Sequence, residues 1–248
     1  RPSIQVGSET IEAVWVPRMT PSRMPLLTER WTALPPEASG VVIQDGGSIV
    51  PSGTEQGLRW NHTGDKFDAS ISFFNGFNHL PDIETTLLPS GTDVLLTRLY
   101  PALRTYGADV AVPTSLVTIK GEAAYFTSPT GTSEEYVLYV VELERQKGEW
   151  IFVGGYAGDI VTKSSAGFPF APDRGIAKSF LGRASYTVGP RRSVAIEGAV
   201  RQAGEGFYVK GDYSEAIGDH WRLTVTGVGI AGNSDDFLGQ YQRNSHVS

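Results

Sequence analysis

Residues 66–74 read Lys-Phe-Asp-Ala-Ser-Ile-Ser-Phe-Phe. In an extended chain Phe67, Ala69, Ile71 and Phe73 point to one side and Asp68, Ser70 and Ser72 to the other, the period-two signature of a strand with one apolar and one polar face. The alternation continues along the chain. Residues 116–125 set Val117, Ile119, Gly121, Ala123 and Tyr125 against Thr118, Lys120 and Glu122, and residues 136–144 set Val137, Tyr139, Val141 and Leu143 against Glu142 and Glu144. Trp150, Phe152, Gly154 and Tyr156 share a face. So do Phe180, Gly182, Ala184, Tyr186 and Val188, opposite Arg183, Ser185 and Thr187. Val194, Ile196, Gly198 and Val200 oppose Ser193, Glu197 and Arg201; Phe207, Val209, Gly211 and Tyr213 oppose Lys210 and Asp212; Trp221, Leu223, Val225 and Gly227 oppose Arg222, Thr224 and Thr226. Less regular strands lie at 10–16, 57–62 and 103–112. These segments have roughly the 9–11 residues that a tilted membrane strand needs, and helical spacing is nearly absent.

The connections alternate in length. Thr63-Gly64-Asp65, Val112-Pro113-Thr114, Gln146-Lys147-Gly148, Gly189-Pro190-Arg191 and Ile217-Gly218-Asp219 carry the residues of tight turns. Between them come the longer segments 17–54, 75–102, 127–133 and 161–178, with the short 202–205 link as an exception. Short turns at one end and long loops at the other are the parity of an up-and-down barrel. The expectation is an all-β fold: a transmembrane antiparallel up-and-down β-barrel of about twelve strands. It forms one domain over 1–248, with 17–54 and 75–102 as long external loops. Trp60, Trp150 and Trp221 stand within a few residues of tight turns, and with Trp15 they are the expected membrane-interface aromatics. Read as strand, 237–248 would put Arg243 on the apolar face, so 237–244 reads as an external extension and a final strand starts at Ser245. The start at Arg1 and the stop four residues into that strand lead us to expect a fragment of a larger barrel.

Composition limits the alternatives. The chain has 248 residues, 29 Gly, 15 Pro and only 19% charged residues, a mix suited to many turns rather than long solvated helices. A net charge of −6 leaves no basic surplus for phosphates, so nucleic acid is not an expected partner. Without cysteine there are no disulfides, thiolate metal sites or cysteine nucleophile. No apolar run could cross a bilayer as a helix, but alternating strands could cross as a barrel.

Several phrases resemble bacterial outer-membrane β-barrel proteins of the porin-like kind. They are Ala13-Val14-Trp15-Val16-Pro17-Arg18 leading to Pro21-Ser22-Arg23-Met24-Pro25, Ser72-Phe73-Phe74-Asn75-Gly76-Phe77, Tyr106-Gly107-Ala108-Asp109, Gly121-Glu122-Ala123-Ala124-Tyr125-Phe126 and the closing Asn244-Ser245-His246-Val247-Ser248. The resemblance implies a barrel in the outer membrane of a Gram-negative bacterium, a channel without a cofactor.

Other chemistries fit the residues poorly. Gly227-Val228-Gly229-Ile230-Ala231-Gly232 matches a dinucleotide fingerprint, but no helix follows to present its amide groups to a pyrophosphate. His62, His79, His220 and His246 lack the spacing of a zinc site and read as interfacial or loop residues. Asn61-His62-Thr63 reads as an accidental glycosylation sequon, and Asn233-Ser234-Asp235-Asp236 as a solvated turn lacking the glycine and distal glutamate of a calcium loop. No serine pairs with a histidine by spacing, so no enzyme is expected and no catalytic or metal residues are assigned.

By phase, the polar faces would line a lumen with Arg59, Asp68, Asp109, Lys120, Glu122, Glu142, Arg183, Glu197, Lys210 and Arg222, joined by Glu144, Arg201 and Asp212. The 17–54 segment, with Arg18, Arg23, Arg30 and Trp31, either folds inwards as a constriction or caps the outside. The leading expectation is an outer-membrane channel for passive diffusion of small hydrophilic solutes, in contact with outer-membrane lipid. A homo-oligomer or an envelope-complex partner stays open. The alternatives are a non-conducting structural barrel subunit of an envelope assembly, whose charges pair across strands and fill the interior, and a soluble β-sandwich that binds glycans through Trp31 and Trp60.

Overall fold

The computed structural model describes residues 1–22, 42–130, 133–164, 174–234 and 236–248. Strands dominate it. In chain order they are β1 (Ser3–Val6), β2 (Glu9–Val16), β3 (Val42–Ile49), β4 (Glu55–Thr63), β5 (Asp68–Phe77), β6 (Asp82–Leu87), β7 (Asp93–Leu99) and β8 (Ala102–Pro113). Then follow β9 (Thr118–Thr127), β10 (Glu135–Lys147), β11 (Trp150–Lys163), β12 (Ser179–Gly189), β13 (Arg192–Arg201), β14 (Phe207–Ile217), β15 (Trp221–Ala231) and β16 (His246–Val247). Thirteen of them form one sheet in the order β1-β2-β4-β5-β8-β9-β10-β11-β12-β13-β14-β15-β16. Every pairing in it is antiparallel.

The hairpin turns explain this meander. Gly7, Gly148 and Gly218 each open a tight turn with positive φ (61°, 59° and 63°), a conformation glycine adopts without Cβ strain and one that suits the twist of the flanking strands. Hydrogen-bond register then keeps the faces aligned across neighbours. Leu58, Phe73, Tyr106, Tyr125, Val137 and Ile160 form one apolar row over β4, β5, β8, β9, β10 and β11. Phe152, Ala184, Ile196, Gly211 and Gly227 form another over β11 to β15.

The expected closure into a barrel is not found. Among the described residues β1 pairs only with β2, and β16 only with β15, so the sheet is open and these two strands are its edges. The physical reason is visible in their lengths: four residues in β1 and two in β16 offer little ladder for closing a sheet whose inner strands run to 14 residues.

Burial runs opposite to that of a water-soluble sheet. The buried side chains of the large sheet, Glu55, Ser70, Ala157, Ser179, Ala199 and Arg201, all lie on the polar face. Among the described residues the apolar face is bare: Ile119, Val194, Ile196 and Leu223 are 43–55% exposed, and no described helix or second sheet packs on them. On the polar side, residues 174–178 and Phe237 meet Arg201 of β13, and the 239–244 segment lies against β15. Arg201 holds these pieces together, donating to the carbonyls of Gly175 (2.9 Å) and Ala177 (2.7 Å) and to Glu205, with its guanidinium 5.6 Å from the Phe237 ring. Residues Gly239–Asn244 form a 3-10 helix, and the final strand begins at His246.

The long segments 17–54 and 75–102 hold strands that alternation did not reveal. β3, β7 and β6 form a second sheet in that order, β3 parallel to β7 and β6 antiparallel to it. Asp45 accepts from Arg98 Nη1 (2.7 Å) and Nη2 (3.2 Å) and from the Gly47 amide (2.8 Å), fastening the bulge where residues 46–47 interrupt the β3–β7 register. Of the segment read as a constriction, Arg18 is exposed beyond β2, whereas Arg23, Arg30 and Trp31 lie outside the described residues.

Candidate functional site

The polar face of the large sheet is the candidate site. Register puts Arg59, Asp68, Asp109, Lys120, Glu122, Glu142, Arg183, Glu197, Lys210 and Arg222 on it together, with Glu144, Arg201 and Asp212. Alternation explains the arrangement: each is an even step from the others on its strand, and the two register shifts of the large sheet, at Glu135/Tyr136 and Thr187/Gly189, lie at strand ends beyond these residues.

The charges are not evenly mixed. On β4 to β10, Arg59 and Lys120 stand among six carboxylates: Glu55, Asp68, Asp109, Glu122, Glu142 and Glu144. On β12 to β15 the balance reverses, with Glu197 and Asp212 among Arg183, Arg201, Lys210 and Arg222. Taken as one list these charges come close to balancing; strand order separates them into an acidic and a basic flank.

Within the acidic flank, Arg59 Nη2 donates to Asp109 Oδ2 (3.0 Å) and to Ser70 Oγ (2.9 Å), and the Ser70 hydroxyl donates to the same Asp109 oxygen. Lys120 Nζ lies 2.6 Å from Glu144 Oε2, passing over Glu142, its direct register partner. Glu122 and Glu142 therefore have no ion pair among the described residues. A groove of about 540 Å³ runs between Arg59, Ser72, Asp109, Lys120, Glu122 and Glu142. Gly155 makes room for Glu142: a Cβ there would stand 2.9 Å from Glu142 Cγ.

On the basic flank the charges form a ladder. Arg183 reaches Glu197 (3.4 Å), Lys210 lies between Glu197 (3.9 Å) and Asp212 (2.8 Å), and Asp212 accepts from Thr226 (2.7 Å). Arg222 donates to Ser214 Oγ at 3.2 Å. These pairs are partly solvated, so each contributes on the order of 1 kcal/mol or less; they orient side chains more than they stabilise the sheet.

The tryptophans of the large sheet stand on its apolar face. Trp15, Trp60, Trp150 and Trp221 all lie on it, Trp150 and Trp221 directly after tight turns, Trp60 shortly before one, and Trp15 at the opposite end of the sheet. The Tyr186 ring lies tilted against Trp150 at 4.6 Å, and Phe73 and Tyr106 pair at 5.2 Å towards the long-loop end.

Sequence spacing missed the carboxylate partners of two histidines. His62 Nδ1 is 2.7 Å from Glu9, and His79 Nε2 is 3.0 Å from the buried Glu55, which also accepts from the Phe77 amide. Each of these two histidines meets a single carboxylate distant in sequence, and no cluster of three metal-ligating groups occurs among the described residues. Residues 227–231 of the glycine-rich phrase are the end of β15, and Asp235 of the acidic turn lies outside the described residues. Among the described residues no helix is long and apolar enough to cross a membrane, which bears on helical spans alone. Compared with known proteins, the chain matches no family model, no curated protein and no solved structure.

Proposed function

We propose that this chain forms the wall of a porin-like channel in the outer membrane of a Gram-negative bacterium, passing small hydrophilic solutes by diffusion without chemistry. One observation carries the reading: the sheet buries side chains only on its charged face and leaves its Val, Ile, Leu, Phe and Trp side uncovered. In water such a face would be a large exposed patch, whereas hydrocarbon is its natural solvent. The aromatics towards both ends of that face fit headgroup-level girdles.

A sheet with free edges does not rest in hydrocarbon, because each unpaired backbone group costs several kcal/mol, of order 2–7. The reading therefore requires that the β1 and β16 edges are paired in the membrane, with each other or with further strands. The test is conductance. Purified folded protein in planar bilayers should give discrete current steps, and a folded sample that never conducts removes the channel.

The ladder from Arg183 to Asp212 favours a second reading, a filled barrel that anchors an envelope assembly. Co-purification with fixed partners and zero conductance would select it.

A further inference from the structure

At the mouth of the acidic flank, one cation is held in a site built on the sheet itself. Arg174, only 15% exposed, places its guanidinium 3.7 Å over the ring of Tyr136, with Nη2 2.5 Å from Glu134 Oε2 and Nη1 3.3 Å from Asp159 Oδ2. Tyr136 is stacked on Phe126 at 4.8 Å, so the ring beneath the cation is fixed. Asp159 is 8% exposed, and its Oδ1 accepts no hydrogen bond, although Lys178 Nζ lies 3.3 Å away. An aromatic face with two carboxylates at its rim is the chemistry that recognises a guanidinium or ammonium group. The carboxylates and rings come from the sheet and the residue before it, whereas the cation comes from a separate connection. That connection ends at Lys178, the one non-glycine residue among those described with positive φ (57°), a conformation that L side chains adopt at a cost.

We propose that Glu134, Tyr136 and Asp159 form a cation site in which Arg174 is the resident occupant, and that solutes bearing a guanidinium or ammonium group exchange with it on entering the channel. The proposal rests on the channel reading for its role and on the cage alone for its binding. Glu122 and Glu142, unpaired on β9 and β10, continue the same sign down the polar face. With Arg174 in place, a solute sees only the fraction of molecules whose cage is open, and its apparent affinity falls by that fraction.

The probe is methylguanidine, with neutral methylurea as the shape control, on the full chain in detergent micelles. In Arg174→Ala the Tyr136 face and Glu134 lose their cation, while Lys178 stays beside Asp159. Methylguanidine should bind at least tenfold more tightly than to wild type and raise the thermal midpoint, methylurea should do neither, and adding Asp159→Asn should abolish both effects. In the wild-type chain, methylguanidine should speed amide exchange at 175–178 by displacing Arg174. Equal binding to wild type and Arg174→Ala overturns the proposal. If that variant does not fold, unchanged wild-type exchange overturns it alone. A chain that binds methylguanidine but never conducts keeps the site and loses the channel, and conductance without a methylguanidine response does the reverse.

Discussion

Replacing Ile196 by arginine separates a lipid-facing surface from a water-facing one. Ile196 is 55% exposed on the apolar face, and its register partners Ala184 and Gly211 are small, so the longer side chain meets no steric barrier there. β13 has ten residues, which span about 33 Å along the strand and about 25 Å of membrane depth at the usual barrel tilt. Ile196 lies within one residue of the middle. In a bilayer, arginine there should cost about 2–4 kcal/mol, the midplane penalty, and Val194→Arg, nearer the turn, should cost less. In water, both substitutions stay within about 0.5 kcal/mol of wild type. Ala195→Arg is the control: it points to the polar face beside Asp212 and should be nearly neutral in either solvent. The assay is urea unfolding of protein refolded into phosphatidylcholine vesicles, followed by the fluorescence of its five tryptophans. Equal stability for Ile196→Arg, Val194→Arg and Ala195→Arg would refute the assignment of solvent to face.

Four further outcomes follow from particular contacts. Gly155→Ala puts a methyl 2.6 Å from the Val141 carbonyl and should destabilise by about 1–3 kcal/mol in the same assay, whereas Gly154→Ala meets nothing within 4 Å and should stabilise by about 0.5–1 kcal/mol. Arg201→Ala leaves the carbonyl of Gly175 without its donor and that of Ala177 with only the Ser179 hydroxyl at 3.5 Å, and should cost about 1–3 kcal/mol, with hydrogen exchange faster at 174–178 and unchanged at β4–β5. Asp45 is held below its ordinary carboxylate pKa by Arg98 and then by the Gly47 amide, so its contribution is complete above the ordinary value and disappears as pH falls through the lowered one. Protection factors in 42–49 and 93–99 should fall over that acidic window, and Asp45→Asn should remove the dependence. In the conducting protein, Glu122→Gln with Glu142→Gln should lower the cation-to-anion permeability ratio about twofold or more, read from reversal potentials in a salt gradient.

Strands with two different faces write their period directly into the sequence, which is why β5 and β9 to β15 could be read from clear alternation and β2, β4 and β8 from a less regular one. The turns were legible for a related reason: Gly148 and Gly218 mark positions where few other residues fit. β3, β6 and β7 were hidden because their alternation is broken: Gly46-Gly47 bulges β3, and Leu95-Leu96 puts apolar groups on both faces of β7. β1 is too short to show a period. The open edges were out of reach because closure depends on how far two distant strands extend, not on the pattern within either. The polar-face residues could be named from phase, but the split into acidic and basic flanks needed strand order. Arg174, Asp159 and Glu134 were not singled out at all, because an ion pair spanning 40 residues leaves no local mark.

The parallel ladder of β3 on β7 joins two connections that are otherwise independent, the one between β2 and β4 and the one between β5 and β8. Six register positions link them, from Val42 opposite Asp93 to Ile49 opposite Leu99. A protease nick at 50–54 would therefore leave both fragments clasped together, and an insertion in one connection would have to preserve the alignment of the other. At this end of the molecule the two excursions behave mechanically as a single appendage, one that deletion scanning would have to remove whole.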